Sequence, residues 1–408
     1  MKSWPAADIP DIPKASTPLK IYSTKAQSLI EIPAKAKYQM YVCGITPYDA
    51  THLGHAATYL TFDLVHRYWL AMGAQVNYIQ NITDIDDPLL ERANRDGVDW
   101  QDLAHSQIDL FRSDMEMLRI LPPAHYEGAV EAIPDVITAI DKLASKESVY
   151  NVDQDRYFEI QKDTEFGNES HLPRSEMLRI FAERGGDPDR AGKRDPLDAL
   201  LWLAKRPNEP AWESKFGPGR PGWHIECAAI ALKHATLNSD YILDIQGGGQ
   251  DLIFPHHEMS ASQVRLLTNL EFARAYVHAA LIGLDGEKMS KSRGNLIFVS
   301  KLISDNISPM AIRWALLKRP YRTEYMWMRT ETAQAQHELE KLALKLKSSE
   351  IPPTSQIIGN IYECIANDLN SAAAIDMINK WVDSNGTGGD AKALQSVLDG
   401  LLGIALPA

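Results

Sequence analysis

The sequence predicts an α/β protein with a parallel sheet, an insertion in its middle and helices at its C-terminal end. Residues 38–44 have the pattern of a buried strand, residues 54–72 that of a helix, and residues 74–84 that of a second strand. A strand, a helix and a further strand in succession are typical of the start of a parallel sheet. The α/β pattern returns with a predicted helix of residues 227–234, which Cys227 opens, and a strand of residues 241–246, which the three glycines 247–249 end. Five helical segments follow, near residues 309–318, 331–347, 355–368, 371–383 and 391–403.

The region between the two α/β segments is different, because short strand patterns alternate there with proline and charged turns. We therefore expect a catalytic domain made of residues 1–119 and 201–308, interrupted by an α+β subdomain of residues 120–200. Residues 309–408 form the predicted C-terminal helical domain.

Composition limits the class of protein. The chain has 408 residues, 45% of them hydrophobic, and a formal net charge of −12. The N-terminus lacks the apolar segment of a signal peptide, and no stretch approaches the roughly 20 apolar residues of a membrane span, so we expect a cytoplasmic protein. Its three cysteines, Cys43, Cys227 and Cys364, are too few for a disulfide framework. Metal binding, catalysis and simple burial are the alternatives.

Two histidines stand at the start of the first predicted helix, in the sequence His52-Leu-Gly-His55. A helix N-terminus offers free N–H groups and a positive dipole end, which suit a phosphate. The two imidazoles lie three positions apart, on one helical face, and Gly54 permits close approach of a ligand to the backbone. This motif alone is weak, because histidines near a turn more often cap or pack.

A cationic loop follows much later in the chain. Residues 288–292 are Lys-Met-Ser-Lys-Ser, and the lysines Lys288 and Lys291 suit the charge that develops on a departing pyrophosphate. A solvated basic turn is the alternative. In this order and this α/β context, the HxGH and KMSKS motifs together resemble the paired signatures of class I aminoacyl-tRNA synthetases. The resemblance implies a Rossmann-like catalytic domain with an α+β insertion and a C-terminal helical bundle, and it implies ATP as a substrate.

Four further segments resemble the core of cysteinyl-tRNA synthetases. They are Tyr41-Val-Cys-Gly-Ile-Thr-Pro-Tyr-Asp49, Gly222-Trp-His-Ile-Glu-Cys227, residues 244–251 and Phe254-Pro-His-His-Glu258. The resemblance implies that one zinc ion is held by a set of three ligands, namely Cys43, Cys227 and His256. Zinc prefers thiolate and imidazole donors, whereas inert burial is the alternative for a lone cysteine.

One position departs from the cysteinyl-tRNA synthetases. Their motif continues His-His-Glu-Asn-Glu and its last glutamate is a fourth ligand, but this chain has Ser260 there. Three protein ligands leave a coordination position open, as in a catalytic zinc site. We expect that position to receive the thiolate of substrate L-cysteine, so that cysteine is separated from serine without an editing domain.

The C-terminal region bears on the acceptor. Residues 331–408 contain five lysines, no arginine and ten acidic residues, an unfavourable surface for tRNA. The N-terminal Met-Lys-Ser-Trp, residues 43–55 and Glu183-Arg-Gly-Gly-Asp-Pro188 resemble the cysteine ligases of the mycothiol pathway. The resemblance implies ligation of L-cysteine to the amine of glucosaminyl-inositol through a cysteinyl-adenylate. A shortened cysteinyl-tRNA synthetase and a non-catalytic cysteine sensor are the alternatives.

The resemblance also implies individual roles. His52 and His55 would contact the phosphates of ATP, which brings Mg²⁺, while Lys288 and Lys291 would stabilise the leaving pyrophosphate. The residues implied around the adenylate are Cys43, Gly44, Ile45, Thr46, Thr58, Asn81, Ile82, Thr83, Trp223, Gly249, Gln250, Asp251 and Ile282. Trp223 could equally be a core aromatic residue. We expect a monomer that binds no tRNA and no membrane, and we assign no chemical role to His257, Cys364 or the 183–188 turn.

Overall fold

The computed structural model describes residues 1–49, 51–237, 240–284 and 296–406, and the backbone of residues 287 and 288. In chain order, the strands over this part are β1 (Leu19–Ser23), β2 (Ser28–Ile32), β3 (Lys37–Val42), β4 (Gln75–Ile82), β5 (His125–Gly128), β6 (Val149–Val152), β7 (Asp155–Phe158), β8 (Ala199–Ala204), β9 (Gly219–Pro221), β10 (Tyr241–Gly249), β11 (Glu271–Ala279), β12 (Ile282–Leu284), β13 (Glu287–Lys288) and β14 (Tyr325–Trp327). The helices are α1 (Leu53–Ala71), α2 (Asp87–Asp96), α3 (Trp100–Met117), α4 (Ile133–Ser145), α5 (Arg174–Glu183), α6 (Trp223–His234), α7 (Glu258–Thr268), α8 (Val299–Ser304), α9 (Pro309–Leu317), α10 (Glu331–Leu346), α11 (Ser355–Ala366), α12 (Ser371–Val382) and α13 (Ala391–Leu402).

A five-stranded parallel sheet forms the centre of the catalytic region, in the order β11-β10-β3-β4-β5. Its faces are covered by different helices. Met40 and Val42 of β3 belong to the hydrophobic core that contains α1, whereas Tyr41 belongs to the core that contains α4, α6 and α7. Because both faces are covered, the middle strands β3, β4 and β10 are almost continuously buried, even where they carry polar residues such as Gln39, Gln80 and Gln246. The predicted fold class is therefore confirmed.

Two local predictions near the site are wrong. Helix α6 begins at Trp223, so Cys227 lies in its second turn rather than at its start. The three glycines of residues 247–249, predicted to end a strand, are part of β10. A Cβ atom on Gly247 would lie 2.2 Å from the ring of Phe62 on α1, so the glycine lets the helix pack closely on the sheet.

The predicted insertion contains an antiparallel sheet of its own, in the order β6-β7-β8-β9. Strand β5 lies within residues 120–200 but pairs in parallel with β4 of the central sheet. At the C-terminal end of the insertion, the antiparallel sheet extends to Pro221, the last residue of β9. The domain limits given above stay a prediction, and the strand pairing favours an insertion that begins after β5 and ends near residue 222.

The C-terminal helices α10–α13 lie close to their predicted positions. The short strand β14 was not predicted, and it pairs in parallel with β12. The buried side chain of Arg313 links this region to α1: its guanidinium pairs with Asp63 of α1 and donates to the carbonyl oxygens of Leu402 and Leu118, at 2.7 and 2.8 Å. These contacts fix the helix whose N-terminus carries the two histidines of the HxGH motif.

Candidate active site

Three side chains that could hold a metal ion meet at the carboxyl ends of β3 and β10, where the strand order of the sheet reverses. Cys43 follows β3 directly, Cys227 lies in α6, and His256 lies in a kinked turn of residues 253–257, in which Phe254 is extended. Their ligand atoms all lie within 4.8 Å of one another, and all three side chains are buried. Because two thiolates and one imidazole form a donor set that zinc prefers, these residues fit a zinc ion.

The two cysteines differ in their tendency to ionise. Burial raises the pKa of the Cys43 thiol well above its ordinary value. Burial also opposes ionisation of Cys227, but hydrogen bonds with Cys43 and His256 outweigh it and hold the pKa of Cys227 well below the ordinary value. The His256 Nε2 atom lies 3.1 Å from the Cys227 sulfur. Cys227 is therefore the thiol that ionises more easily, and a cation between the sulfurs would favour the thiolate form of both.

Two neighbours on α6 orient the imidazole of His256. The ring of Trp223 stacks on it, with centroids 4.4 Å apart and planes 25° apart. The Nδ1 atoms of His224 and His256 lie 3.0 Å apart, and burial lowers the pKa of His224 well below its ordinary value. A neutral His224 can accept a hydrogen bond from His256 Nδ1–H, and in that tautomer His256 Nε2 is free to bind a metal. Trp223, predicted to line the adenylate, thus contacts a metal-binding residue.

A chain of hydrogen bonds leads from Cys43 away from the site. His257 Nε2 lies 3.2 Å from the Cys43 sulfur, His257 Nδ1 lies 2.8 Å from His278 Nε2, and His278 Nδ1 lies 2.7 Å from the Thr24 hydroxyl. Burial lowers the pKa of His257 well below its ordinary value and that of His278 to about 3, so both rings are neutral at pH 7. Each neutral ring has one donor and one acceptor. When the Thr24 hydroxyl donates to His278, His278 donates to His257 and His257 donates to the Cys43 sulfur.

Ser260 presents no ligand to this site. Its hydroxyl donates to the carbonyl oxygen of His256 at 2.8 Å and accepts from Gln246 Nε2 at 3.2 Å. The side chain is fully buried in α7 and supports the backbone of the metal-binding turn. The structure thus gives Ser260 a supporting contact at the position where cysteinyl-tRNA synthetases have a ligand.

The HxGH motif forms the first turn of α1. His52 caps the helix and its Nδ1 atom accepts from the His55 backbone N–H at 3.3 Å, while the two imidazoles stack with centroids 3.7 Å apart. Burial lowers the pKa of His52 to about 4, and burial together with His52 lowers the pKa of His55 well below its ordinary value. Both rings are therefore neutral at pH 7. They can donate hydrogen bonds to a phosphate, but they do not bring positive charge to it.

The segment after the KMSKS motif returns to the HxGH helix. An antiparallel bridge with flanking hydrogen bonds of 2.9 and 3.0 Å joins residues 51–53 to residues 297–299. At the start of the motif, the backbone of Lys288 pairs with Gly283 across β12 and β13. The side chain of Lys288 and the whole of Lys291 lie outside the described residues, so their predicted roles stay predictions.

The predicted adenylate residues that follow β3 and β4 are tied to each other. The Asn81 amide oxygen accepts from the Gly44 N–H at 2.8 Å and from the Tyr41 hydroxyl at 2.9 Å. The Asn81 amide nitrogen donates to the Thr83 hydroxyl at 3.2 Å, and the Thr83 N–H donates to the Ile45 carbonyl at 3.1 Å. A Cβ atom on Gly44 would lie 1.7 Å from the Asn81 carbonyl oxygen, so only glycine fits there.

A second group borders the carboxyl end of β10. The Thr58 hydroxyl donates to the Gly54 carbonyl at 3.0 Å, and a Cβ atom on Gly249 would lie 3.9 Å from that hydroxyl and 2.5 Å from an Asp251 carboxylate oxygen. Asp251 itself is exposed. Thr58 of the HxGH helix thus lies close to Gly249 at the carboxyl end of β10, and Asp251 stands in the short turn that leads to residues 253–257.

Four other predicted adenylate residues are less central. Gln250 donates its amide N–H to Glu324 at the exposed surface. Ile82 and Ile282 are buried, at the end of β4 and at the start of β12, and Thr46 is half-buried beside the site. Their contacts with a nucleotide stay predictions.

Sequence reasoning missed His224, His278 and Thr24, and it left His257 without a role. His224 and His257 each adjoin a predicted site residue in the chain, so their positions were a usable signal. His278 and Thr24 lie far from the motifs in sequence and reach the site only because β11 adjoins β10 and residue 24 follows β1. No local pattern marks either of them.

Comparison with known proteins identifies the family. Residues 30–337 match the family model described as tRNA synthetases class I (C) catalytic domain. A protein of Kribbella flavida is 50% identical over 410 residues, and one of Thermomonospora curvata is 48% identical over 418 residues, with all of each chain covered in both cases. Both are named L-cysteine:1D-myo-inositol 2-amino-2-deoxy-α-D-glucopyranoside ligase. The chain belongs to this ligase family.

Solved structures agree with the fold of the ligase. Methionyl-tRNA synthetase of Mycobacterium tuberculosis, in complex with methionyl-adenylate, aligns with a TM-score of 0.63 over 90% of this chain and 88% of that one, at 14% sequence identity. At such low identity the likeness shows the fold alone. The family model and the named relatives, rather than this likeness, show an ATP-dependent ligase built on a class I synthetase catalytic domain, as predicted. Over its described residues, none of its helices is both long and apolar enough to span a membrane.

Proposed function

We propose that the protein joins L-cysteine to the amino group of 1D-myo-inositol 2-amino-2-deoxy-α-D-glucopyranoside, with cleavage of ATP to AMP and pyrophosphate, in the biosynthesis of mycothiol. The observation that carries the proposal is the convergence of Cys43, Cys227 and His256, linked to the HxGH helix by the hydrogen bond of 3.0 Å from the Tyr59 hydroxyl to the Cys43 carbonyl. A site for a thiol and a site for phosphates then adjoin, which is what a cysteinyl-adenylate needs. Full-length relatives with the ligase name support the choice of acceptor.

Cys43, Cys227 and His256 would hold one zinc ion per chain. When bound, zinc would bind the thiol sulfur of substrate L-cysteine and so distinguish it from serine. The chain's own contribution is to orient the donors. His224 fixes the tautomer of His256, and His257 donates a hydrogen bond to the Cys43 sulfur.

In the first half-reaction, a carboxylate oxygen of cysteine attacks the α-phosphorus of ATP. The new O–P bond forms as the bond to the pyrophosphate breaks, and Mg²⁺ accompanies the nucleotide. The neutral imidazoles of His52 and His55 donate hydrogen bonds to phosphate oxygens. Lys288 and Lys291 supply the positive charge that the two histidines lack, so their part is to stabilise the pyrophosphate as it leaves.

In the second half-reaction, the amine of the sugar attacks the carbonyl carbon of the adenylate. The C–N bond forms, the C–O bond to AMP breaks, AMP leaves, and the proton of the amine passes to water. A small acceptor needs only a pocket beside the adenylate, whereas tRNA would need a basic surface that residues 331–408 do not supply. We therefore propose that the protein does not act on tRNA. A cytoplasmic location and a monomeric state are part of the same proposal.

The test is an acceptor assay. Purified enzyme receives L-cysteine and ATP with either glucosaminyl-inositol or tRNA, and both AMP and the cysteine-containing product are measured. The proposal requires the amide with the sugar and no charged tRNA. Charged tRNA without any amide would refute it and favour a shortened cysteinyl-tRNA synthetase.

A further inference from the structure

The Glu183-Arg-Gly-Gly-Asp-Pro188 turn has a geometry that explains its glycines. It follows α5, and Gly185 adopts a left-handed conformation with φ of 83°. A Cβ atom on Gly186 would lie 2.5 Å from the ring of Phe181, so glycine is required for the chain to pass over that ring. The N–H of Gly186 donates to the Phe181 carbonyl at 2.8 Å. The turn therefore reverses the chain tightly at the end of α5, as helix-terminating glycines do.

Asp187 anchors the other side of the turn. Its carboxylate accepts from the Tyr157 hydroxyl and, at 2.9 Å, from the ammonium group of Lys193. The Lys193 side chain is only 2% exposed, so this anchor is held within the packed insertion. With both ends fixed, the direction of the Arg184 side chain is set by the turn.

The Arg184 side chain crosses from the insertion to the active site. Its Nη1 donates to the carbonyl oxygen of Phe254, two residues before the metal-binding His256. Burial lowers the pKa of Arg184, while the nearby carboxylate of Asp251 partly offsets that effect. The guanidinium therefore contacts the turn that carries His256, and it lies near enough to Asp251, one of the predicted adenylate residues, to feel its charge.

Two donors of this guanidinium remain available to a ligand. Within the described part of the chain, the Nε and Nη2 atoms of Arg184 have no hydrogen-bond partner, and the side chain is half-buried. The adjacent Asp251 carboxylate disfavours a further anion, but a hydroxyl group can accept from the guanidinium and donate to the carboxylate. A protonated amine would be repelled by Arg184. The geometry thus suits the hydroxyl end of a polyol amine whose amino group points towards the adenylate.

We propose that Arg184 donates hydrogen bonds to the inositol hydroxyls of the acceptor and thereby selects an inositol-bearing amine over a simple amino sugar. This inference rests on the proposed function. The motif residues around it act as positioning residues, because they direct Arg184 to the site without touching the substrate.

The test compares Arg184→Met and Arg184→Lys with the wild type. Arg179→Met is the matched control, because Arg179 lies on the same helix and pairs with Glu176 and Glu183 at the surface. Amide formation is measured with glucosaminyl-inositol and with glucosamine, alongside cysteine-dependent ATP–pyrophosphate exchange and zinc content. We expect Arg184→Met to lower kcat/KM for glucosaminyl-inositol about 10-fold or more, mainly through KM, the scale for losing a hydrogen bond to a charged group.

The same variant should reduce the preference for glucosaminyl-inositol over glucosamine, with exchange and zinc content unchanged. Arg184→Lys should recover part of the preference, and Arg179→Met should match the wild type. An unchanged KM for glucosaminyl-inositol would overturn the inference, as would an equal loss of exchange or a loss of zinc, since those results assign Arg184 to the adenylate or to the fold. If the wild type itself performs exchange but forms no amide, the proposed function fails and this inference fails with it.

Discussion

The contact between His224 and His256 should control metal affinity. His224→Phe keeps an aromatic ring but removes the hydrogen bond of 3.0 Å to His256 Nδ1, at a place where His224 is 7% exposed and His256 is 1% exposed. A buried N–H left without a partner costs about 1–3 kcal/mol, which corresponds to roughly a 5- to 150-fold weaker zinc complex. Loss of an outer-shell partner of a metal-binding histidine generally weakens binding about 10- to 100-fold.

The assay is competition for zinc between the protein and a chromophoric chelator of known affinity. His66→Phe is the control, because His66 is a buried histidine whose ring packs edge-on against Tyr78, away from the metal-binding residues. We expect zinc affinity to fall in His224→Phe and to stay unchanged in His66→Phe, with both proteins folded by circular dichroism. Equal zinc affinity in the wild type and His224→Phe would refute the argument that His224 orients the metal-binding imidazole.

Three further predictions concern the metal, the pyrophosphate and pH. Cys227→Ala should lose the zinc that the wild type carries, and full zinc occupancy by metal analysis would exclude Cys227 as a ligand. Lys291→Ala should slow cysteine-dependent ATP–pyrophosphate exchange about 100-fold or more while cysteine binding stays the same, whereas normal exchange would show that the lysine has no role. Burial lowers the pKa of His66 to about 4. In the unfolded chain His66 binds a proton below pH ~6.5, whereas in the folded chain it stays neutral until about pH 4. The free energy of unfolding therefore decreases as pH falls from about 6.5 to 4. Denaturant titration measures the free energy of unfolding at pH 7 and at pH 5. The decrease between these two pH values should be about 2 kcal/mol smaller in His66→Gln than in the wild type. Equal decreases in the two proteins would contradict the low pKa of His66.

Much of the site was predictable because its chemistry is tied to short motifs. Cys43, Cys227 and His256 are far apart in the chain, yet each lies in a segment of recognisable sequence, and the structure brings their ligand atoms within 4.8 Å of one another. The HxGH motif was likewise expected at a helix N-terminus, where it is found. What the motifs did not indicate is the charge of the histidines, because their low pKa values come from burial by distant parts of the fold.

Other features could not be predicted from local patterns. The glycines 247–249 suggest a break in a strand, but they remain in β10 because the sheet must accept the ring of Phe62 at close range. The pairing of β5 with β4 and of β14 with β12 depends on contacts between distant segments. His278 reaches His257 for the same reason, since β11 lies beside β10 in the sheet.

The most direct test of the central claim is a single-turnover chase. Enzyme is first incubated with ATP and radiolabelled L-cysteine, and the enzyme-bound cysteinyl-adenylate is separated from free substrates. Glucosaminyl-inositol or buffer is then added, and product is followed over time. We predict that the label passes rapidly into the amide, with release of one AMP per cysteine transferred, only when the sugar is present. Decay of the adenylate to free cysteine at the same rate with and without the sugar would contradict it.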